Sequence, residues 1–367
     1  MKPVRVISRY PRDKDLKDGM MQRVFDLDNL LSKRIVVEYI HISFTKNLRL
    51  KKFVIENFEG RTVTEYKLNM FVHFFTLLRF LGESSVVVCH SVMNYAYIYA
   101  ALLLVRVPLI SDIHGAVPEE HIEMGKLKLA KIYSCLERSM FKKSRGVIGV
   151  SQAMIDFYKK KYRLLSSIEM FFVPIISSEN ILVSQNNKLT DNVNVIYAGG
   201  TQTWQNVQLM LDNVCVLSKQ YPLWKFSFYF PDESLGMMQM AATNLPAQIS
   251  TASRENLSVE YSKSHLGFLL REDTTVNRVS SPTKLSEYLS FGIIPIVIQP
   301  HVGDLTIRQY KYFLLEDLIN GKDIDHNEII AMKIHNLELH KKNHIIDIEF
   351  RQRFEEYVHR ISMNESI

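Results

Sequence analysis

The stretch SSPTKLSEYLSFG (280–292) carries a lysine and a glutamate, Lys284 and Glu287, at the start of a short helical pattern. Residues three apart share a helix face, so the ammonium and the carboxylate are predicted to point the same way. Ser281 is predicted to be the N-cap and Pro282 the first helical residue, which leaves backbone N–H groups free beside Lys284. Such a site suits a phosphate, and the carboxylate suits a ribose diol. The stretch alone is equally compatible with a capped helix carrying an exposed ion pair.

The rest of the sequence predicts the elements that would position this pair. Strand-like runs rich in Val and Ile alternate with helical runs in both halves of the chain. This alternation is typical of parallel sheets covered by helices on both faces. The fold class is therefore α/β, with two Rossmann-like domains that face each other across a cleft. In such sheets, ligands bind at the carboxyl ends of the strands.

A polar, weakly patterned segment separates the two halves and sets the predicted boundaries. Residues 1–176 form the first Rossmann-like domain, 177–192 the linker, 193–345 the second Rossmann-like domain and 346–367 a C-terminal helix that crosses back to the first. Within the first half, the aromatic run LNMFVHFFTLLRFL (68–81) is predicted to be a helix packed on the sheet.

The net charge of +6 is spread unevenly. Basic residues outnumber acidic ones in the first half, and the reverse holds in the second. A basic half indicates an anionic partner, and a membrane surface is favoured over nucleic acid because no nucleic-acid recognition motif is present. For each cluster taken singly, a solvated basic surface remains the alternative. The clusters are Lys46 to Lys52, Lys142 with Lys143, and Lys159 to Lys161.

Other features point to a cytoplasmic protein that can attach to a membrane surface. The sequence shows no secretory signal, and its longest apolar run, YAYIYAALLLV (95–105), is shorter than a bilayer span. Three widely spaced cysteines, Cys89, Cys135 and Cys215, are predicted to be buried free thiols. Pairs of aspartates separated by one residue are predicted to be surface charge, so no metal site is expected. These pairs are Asp13/Asp15, Asp26/Asp28 and Asp323/Asp325.

The motif PTKLSEYLSFGIIPIV resembles the donor-site motif of GT-B glycosyltransferases, especially the retaining family four. The matching positions are Pro282, Lys284, Glu287, Tyr288 and Gly292, with one extra residue before Pro295. Weaker likenesses extend over most of the chain. They are YAGG (197–200) to the family's glycine turn, SREN (253–256) to the segment before its donor loop, and DIHGAVPEE (112–120) with GVIGVSQAM (146–154) to its acceptor-side strands.

The resemblance implies roles for individual residues. Glu287 would bind ribose, and His114 would face the sugar, although a loop histidine that caps the next segment is the alternative. The turn at Asp18 and Gly19 would be the family's glycine loop, or else a plain helix start. The remaining donor-side residues would be Gly200, Thr201, Arg254, Arg271, Ser281, Pro282, Thr283 and Lys284, and the acceptor-side residues would be Gly19 and Arg23.

Three departures from the family's pattern concern the sugar and the diphosphate. Val279 stands where the family often has a second glutamate, which leaves the sugar and the stereochemistry open. Gly200 and Asn206 stand where an arginine and a lysine usually grip the diphosphate, so Arg254, Arg271 and Lys284 are predicted to replace them. The glycine loop keeps one glycine, Gly19, instead of two.

These observations predict a glycosyltransferase of polysaccharide biosynthesis. It would move a hexose from a nucleotide diphosphate donor, with a UDP-sugar favoured, to a lipid-linked or surface polysaccharide acceptor. The resemblance implies retention, no metal and no cofactor beyond the nucleotide-sugar co-substrate. A nucleotide-sugar epimerase of similar form and a non-catalytic partner of another transferase are the alternatives. The sequence leaves the sugar, the acceptor and the oligomeric state open.

Overall fold

The structure is a computed structural model that describes residues 2–12, 15, 19–56, 60–163, 167–174 and 192–363. Asp18 and all but the last residue of the predicted linker lie outside these ranges, as do the side chains of Arg254 and Glu255. The chain divides into two compact units. Unit 1 contains Met1–Ile175 and Asp347–Ile367, and unit 2 contains Ile176–Ile346.

Unit 1 is built on a mainly parallel sheet. Its elements are β1 (Val4–Ile7), α1 (Gly19–Leu31), β2 (Val37–Ser43), β3 (Lys51–Glu56), β4 (Thr62–Asn69), α2 (Phe74–Gly82), β5 (Val86–His90), α3 (Ser91–Leu104), β6 (Leu109–Ile113), α4 (Val117–Glu123), α5 (Leu127–Lys143), β7 (Ser144–Gly149), α6 (Gln152–Lys161) and β8 (Glu169–Phe172). In the described residues, the strand order is β3-β4-β2-β1-β5-β6-β7-β8. Every residue of β5 and β6 is buried, as the continuous apolar runs predict.

Unit 2 is built on a parallel sheet in the Rossmann order. Its elements are β9 (Val193–Ala198), α7 (Val207–Gln220), β10 (Trp224–Tyr229), α8 (Asp232–Ala241), β11 (Ala247–Ser250), α9 (Arg254–Lys263), β12 (Leu266–Phe268), α10 (Thr275–Val279), α11 (Thr283–Ser290), β13 (Ile294–Val297), β14 (Phe313–Leu314) and α12 (Leu315–Ile319). The described strands follow the order β11-β10-β9-β12-β13-β14, so the topological switch lies between β9 and β12.

The last helix, α13 (His326–Ser362), belongs to both units. Its C-terminal part packs on the unit 1 core, where the rings of Phe354 and Phe171 lie 5.4 Å apart. Arg351 Nη1 lies 2.6 Å from Asp26 Oδ2, and the Tyr357 hydroxyl donates to the Arg145 carbonyl at 2.7 Å. These contacts confirm the predicted return of the C-terminal helix. Among the described residues, no helix has the length and apolar character needed to cross a bilayer.

Three local predictions are wrong. The predicted helix over 68–81 begins only at Phe74, because Leu68 and Asn69 end β4 and pair in parallel with Ile42 and Ser43 of β2. Cys135 is exposed because it lies on the outer face of α5. Asp26 and Asp28 are not simple surface charges: Asp26 pairs with Arg351, and buried Asp28 pairs with Arg61.

Candidate functional site

Helix α11, which carries the sequence motif, is fixed to the unit 2 sheet by Tyr288. This side chain is fully buried, and its hydroxyl lies 3.4 Å from the Ile196 carbonyl and 3.3 Å from the Phe268 carbonyl. A Cβ at Gly267 would lie 2.5 Å from Tyr288 Cε2, so the ring needs a glycine on β12. The start of α11 is thereby held at the carboxyl ends of β9 and β12, the predicted ligand position.

The N-terminus of α11 differs from the prediction by one residue. Pro282 is the N-cap, with an extended backbone (φ −64°, ψ 122°), and Thr283 is the first helical residue. The predicted cap at Ser281 is wrong. Proline's fixed φ suits both the N-cap and the first helical position. The extended ψ of Pro282 makes it the N-cap here. The Pro282 carbonyl accepts from Leu285 N at 3.0 Å. The amides of Thr283 and Lys284 precede the first bonded turn and are suited to an anion.

Lys284 is a buried cation, not the exposed member of an ion pair. It is 6% exposed, and its Nζ lies 3.7 Å from the centroid of the Tyr197 ring. The same ammonium donates to Gln205 Oε1 at 3.0 Å. Burial, together with the nearby positive charge of Arg271, holds the pKa of Lys284 well below its ordinary value, although the Glu287 carboxylate opposes this shift.

Arg271, which follows β12, is a second cation close enough to Lys284 to affect its pKa. Its Nη1 lies 3.4 Å from Asn277 Oδ1, and its buried Nε has no hydrogen-bond partner among the described residues. Burial lowers the pKa of this guanidinium, and the Tyr197 phenol opposes the shift. Within the described ranges, neither Arg271 nor Lys284 forms an ion pair with a carboxylate. A buried ammonium and a partly buried guanidinium without carboxylate partners are well matched to an anion with several oxygens.

Glu287 lies one turn beyond Lys284 and is half-buried. Its Oε2 accepts a hydrogen bond from the Tyr261 hydroxyl at 3.0 Å. This bond fixes the carboxylate, and each carboxylate oxygen can accept more than one donor. The structure therefore confirms that Lys284 and Glu287 begin the same short helix, and it assigns them different surroundings instead of a mutual ion pair.

The glycine turn after β9 passes close to Lys284. A Cβ at Gly199 would lie 2.9 Å from Lys284 Nζ, so only glycine leaves room for the ammonium. The Gly200 carbonyl accepts from the Tyr197 hydroxyl at 2.6 Å, and Thr201 is exposed. Asn206, with φ +48°, donates to the Leu270 carbonyl at 3.1 Å and so holds the turn against the end of β12.

Two further positions near the predicted donor site are Val279 and Arg254. Val279 is 3% exposed at the end of α10, so an apolar contact occupies the position where the resembling family often has an acid. Arg254 begins α9, and its side chain lies outside the described residues. Its predicted part in diphosphate binding stays a prediction.

Unit 1 has its own polar cluster where β5 and β6 end. His114 Nε2 and His90 Nδ1 lie 2.5 Å and 2.8 Å from Asp112 Oδ2, and the two nitrogens lie 2.9 Å apart. Of these three residues, only His114 was predicted from the sequence as a site residue. The signal was present, because β5 ends in the buried polar residue His90, and the buried Asp112 is the second-last residue of the neighbouring apolar strand β6. Burial lowers the pKa of His90 and favours its neutral form.

Arg23 compensates the charge of this cluster. It is 1% exposed, its Nη2 donates to Asp112 Oδ1 at 2.9 Å, and its Nη1 donates to the Val173 carbonyl. Burial alone raises the pKa of Asp112, but Arg23 and the histidines outweigh burial and hold this pKa well below its ordinary value. The predicted acceptor-side residue Arg23 thus binds Asp112, while Gly19 begins α1.

The donor atoms of His90, Asp112 and His114 all lie within 4.8 Å of one another, a spacing that a metal ion could bridge. Charge argues against that use. The guanidinium of Arg23 already neutralises Asp112, so a divalent ion would leave a net charge of about two in a buried place. The cluster is better suited to orient an imidazole. If Nε2 of neutral His114 donates to Asp112, Nδ1 is an acceptor. That Nδ1 is buried and has no hydrogen-bond partner among the described residues.

Replacing Arg23 by methionine is expected to lower the free energy of unfolding by about 3–5 kcal/mol, because the Asp112 carboxylate would lose its buried partner. Urea unfolding followed by far-UV circular dichroism measures the loss. The double variant R23M/D112N removes both charges and should be more stable than R23M. An unchanged midpoint in R23M would show that the pair is not coupled to folding.

No protein-family model matches the chain, and no curated protein matches its sequence. Solved structures match its fold. An α,α-trehalose 6-phosphate synthase from Burkholderia multivorans has a TM-score of 0.65 at 11% identity, with 100% of each chain covered. The fold is GT-B. An E. coli protein described as trehalose-6-phosphate, bound with UDP-2-fluoro glucose, has a TM-score of 0.65 at 10% identity, with 98% of this chain and 99% of that chain covered.

A third GT-B structure is more distant. The pneumococcal O-GlcNAc transferase GtfA, in complex with UDP and GlcNAc, has a TM-score of 0.57 at 12% identity, with 84% of this chain and 69% of that chain covered. At these identities the likeness concerns the fold. Membership of the retaining family four stays a prediction.

Proposed function

We propose that the protein is a glycosyltransferase that uses a nucleotide diphosphate sugar as donor. The main support for this proposal is the pair of cations near the topological switch between β9 and β12 of unit 2. Lys284 is buried and Arg271 is partly buried, burial lowers the pKa of both, and neither is paired with a carboxylate among the described residues. A diphosphate would supply the missing negative charge, and the first amides of α11 would add hydrogen bonds to it.

Glu287 completes the donor site in this proposal. Its carboxylate, fixed by Tyr261, would accept hydrogen bonds from the two ribose hydroxyls. A ribose and a diphosphate held one helical turn apart fit a nucleoside diphosphate. UDP is the favoured nucleotide, supported by two proteins of similar fold whose structures contain UDP or a UDP-sugar. We propose that the same site also includes Gly200, Thr201, Ser281 and Arg254.

The proposed chemistry is retaining and needs no metal. The departing diphosphate develops negative charge, and Lys284, Arg271 and the α11 amides would stabilise that charge, as preorganised donors do in many transfer reactions. The C1–O bond to the leaving phosphate breaks, and the acceptor oxygen forms a bond to C1. The acceptor proton passes to a leaving phosphate oxygen. His114, positioned by Asp112, would bind a sugar hydroxyl through its unpartnered Nδ1.

The proposed acceptor is a lipid-linked or surface polysaccharide, bound by unit 1 near Gly19. A turnover assay tests the whole proposal. UDP-, GDP-, CMP- and dTDP-sugars are incubated with and without glycan and lipid-linked acceptors, and both nucleotide and sugar products are identified by mass spectrometry. We expect UDP release that rises when an acceptor is present, together with a glycosylated product. Epimerised donor formed without acceptor would indicate the epimerase alternative, and no donor consumption would indicate a non-catalytic partner.

A further inference from the structure

Unit 1 exposes a cluster of large apolar side chains at the carboxyl edge of its sheet. The cluster lies in two loops that follow β2 and β4, and in the first turn of α2. Phe75 is 84% exposed and Phe71 is 62% exposed, values that are extreme for phenylalanine in a water-facing surface. We call this cluster the aromatic rim. Its members are Phe44, Leu48, Leu50, Phe71, Val72 and Phe75.

The aromatic rim is held in place by hydrogen bonds between the Asn69 side chain and backbone groups of both loops. Asn69 Oδ1 accepts from the amides of Phe71 and Val72 at 3.0 and 3.2 Å. Its Nδ2 donates to the carbonyls of Phe44 and Lys46, both at 3.0 Å. The rings of Phe44 and Phe71 pack edge to face with centroids 5.1 Å apart. One buried side chain thus ties both loops together, so the exposure of these rings is part of the fold.

Helix α2 shows that the exposed rings are not needed for packing. Its buried residues are Leu77, Phe80 and Leu81, which cover the sheet side of the helix. Phe75 lies on the opposite face. Full burial of a phenylalanine side chain lowers the free energy by roughly 1.5–3 kcal/mol relative to exposure to water. The exposed Phe75 side chain can therefore gain this free energy by contact with another apolar phase.

The same edge is strongly basic. Lys46, Arg49, Lys51 and Lys52 are all exposed, and residues 39–55 contain no aspartate or glutamate. The register of the β3–β4 hairpin places Lys51 opposite Lys67, so the basic residues stand beside the loops of the aromatic rim. Apolar side chains surrounded by cations are typical of surfaces that insert shallowly into an anionic interface.

We propose that the aromatic rim and its basic border dock on the surface of an anionic lipid bilayer. The rings would enter the boundary between headgroups and acyl chains, and the lysines and the arginine would contact anionic headgroups. A second copy of the chain fits less well. A two-fold contact would bring two identical basic borders together and cost electrostatic energy.

This inference deepens the proposed function, since an enzyme with a lipid-linked acceptor must reach a membrane surface. His90 and Asp112 stand at the carboxyl ends of β5 and β6, and therefore at the same edge of the parallel sheet as the aromatic rim. Vesicle binding requires neither donor nor turnover. A failure of the docking proposal can therefore be told apart from a failure of the proposed activity.

Sedimentation with vesicles tests the proposal. We expect the protein to bind vesicles of 70% phosphatidylcholine and 30% phosphatidylglycerol, and to dissociate at high salt. F71S/F75S should lower the partition coefficient at least about tenfold. K46Q/K51Q should lower it by about fivefold per charge removed. Circular dichroism should show both variants folded, because all four side chains are exposed.

Matched variants in unit 2 serve as controls. M240S removes an apolar side chain that is 80% exposed, and K219Q/K225Q removes two exposed charges. Neither should change vesicle binding. The proposal is overturned if wild type fails to bind the anionic vesicles, or if the rim variants bind as wild type does. It is also overturned if wild type is a dimer by sedimentation equilibrium and F71S/F75S makes it a monomer without altering vesicle binding.

Discussion

Replacing Glu287 by alanine is expected to lower kcat/KM for the donor at least about hundredfold while leaving the protein folded. A hydrogen bond to a charged group contributes roughly 1.5–3 kcal/mol, and a ribose diol would make two of them with this carboxylate. The residue is half-buried, and the Tyr261 hydroxyl that donates to its carboxylate is neutral. Initial rates of UDP release at donor concentrations well below KM measure the effect.

Glu260 provides the matched control for Glu287. It accepts a hydrogen bond from the Tyr229 hydroxyl at 3.0 Å, the same distance as in the Tyr261–Glu287 pair, and it also pairs with Lys263 at 2.7 Å. E260A removes a similar tyrosine–glutamate contact from unit 2 and should keep kcat/KM near the wild-type value. If E287A and E260A lost activity equally, Glu287 would be a structural residue and not a donor ligand.

Replacing Lys284 by methionine is expected to weaken donor binding at least about hundredfold and, at neutral pH, to stabilise the free protein. The loss follows from removing a desolvated cation from the proposed diphosphate site. The gain follows from burial, which lowers the pKa of this ammonium and so makes its charged form costly in the free protein. Trp204 and Trp224 both lie in unit 2, so tryptophan fluorescence during urea unfolding reports on the unit that contains the substitution.

The stability difference between K284M and wild type has a defined pH dependence. In the unfolded chain the amine has its ordinary pKa of 10.5, and in the folded chain its pKa is lower. Between these values the unfolded chain holds more protons, so wild-type stability rises with pH. The charge-dependent part of the K284M advantage should therefore be largest at low pH and vanish at pH values above 10.5. An advantage that grows with pH would contradict the lowered pKa.

Donor binding should also be linked to proton uptake. A diphosphate beside Lys284 favours its charged form and raises its pKa, so wild type should take up protons when UDP binds above the folded pKa of this amine. Titration calorimetry in buffers of different ionisation enthalpy measures that uptake, and K284M should show less of it. Equal uptake in both proteins would mean that another group responds to the nucleotide.

Much of the architecture could be predicted from local patterns. The Val- and Ile-rich run before Gly199 predicts β9, and the buried run that ends at His90 predicts β5, because strands covered on both faces need continuous apolar sequence. Lys284 and Glu287 could be assigned to one face of a helix because they are three residues apart. The β3–β4 hairpin was missed because its exposed strand β3 is edge-located and rich in lysine, which weakens the strand pattern.

The surroundings of the site residues could not be predicted from spacing. Lys284 meets Tyr197 and Gln205, which lie about eighty residues away in sequence, so its burial depends on how β9 and α11 pack. The same holds for Arg23 on helix α1, whose partner Asp112 stands on strand β6. Helical periodicity assigned Lys284 and Glu287 to one face, but tertiary packing separated them into a desolvated cation and a half-buried carboxylate.

Nucleotide binding by the purified chain tests the proposed donor site at Lys284 and Glu287 without requiring an acceptor. A thermal-shift screen compares UDP-, GDP-, CMP- and dTDP-sugars, because a ligand at 100 times its Kd stabilises the folded state by roughly 2.7 kcal/mol. We predict that a UDP-sugar raises the unfolding temperature and that the rise is lost in both K284M and E287A. A donor site at Lys284 and Glu287 is contradicted if no nucleotide-sugar shifts the transition at millimolar concentration, or if the shift persists unchanged in both variants.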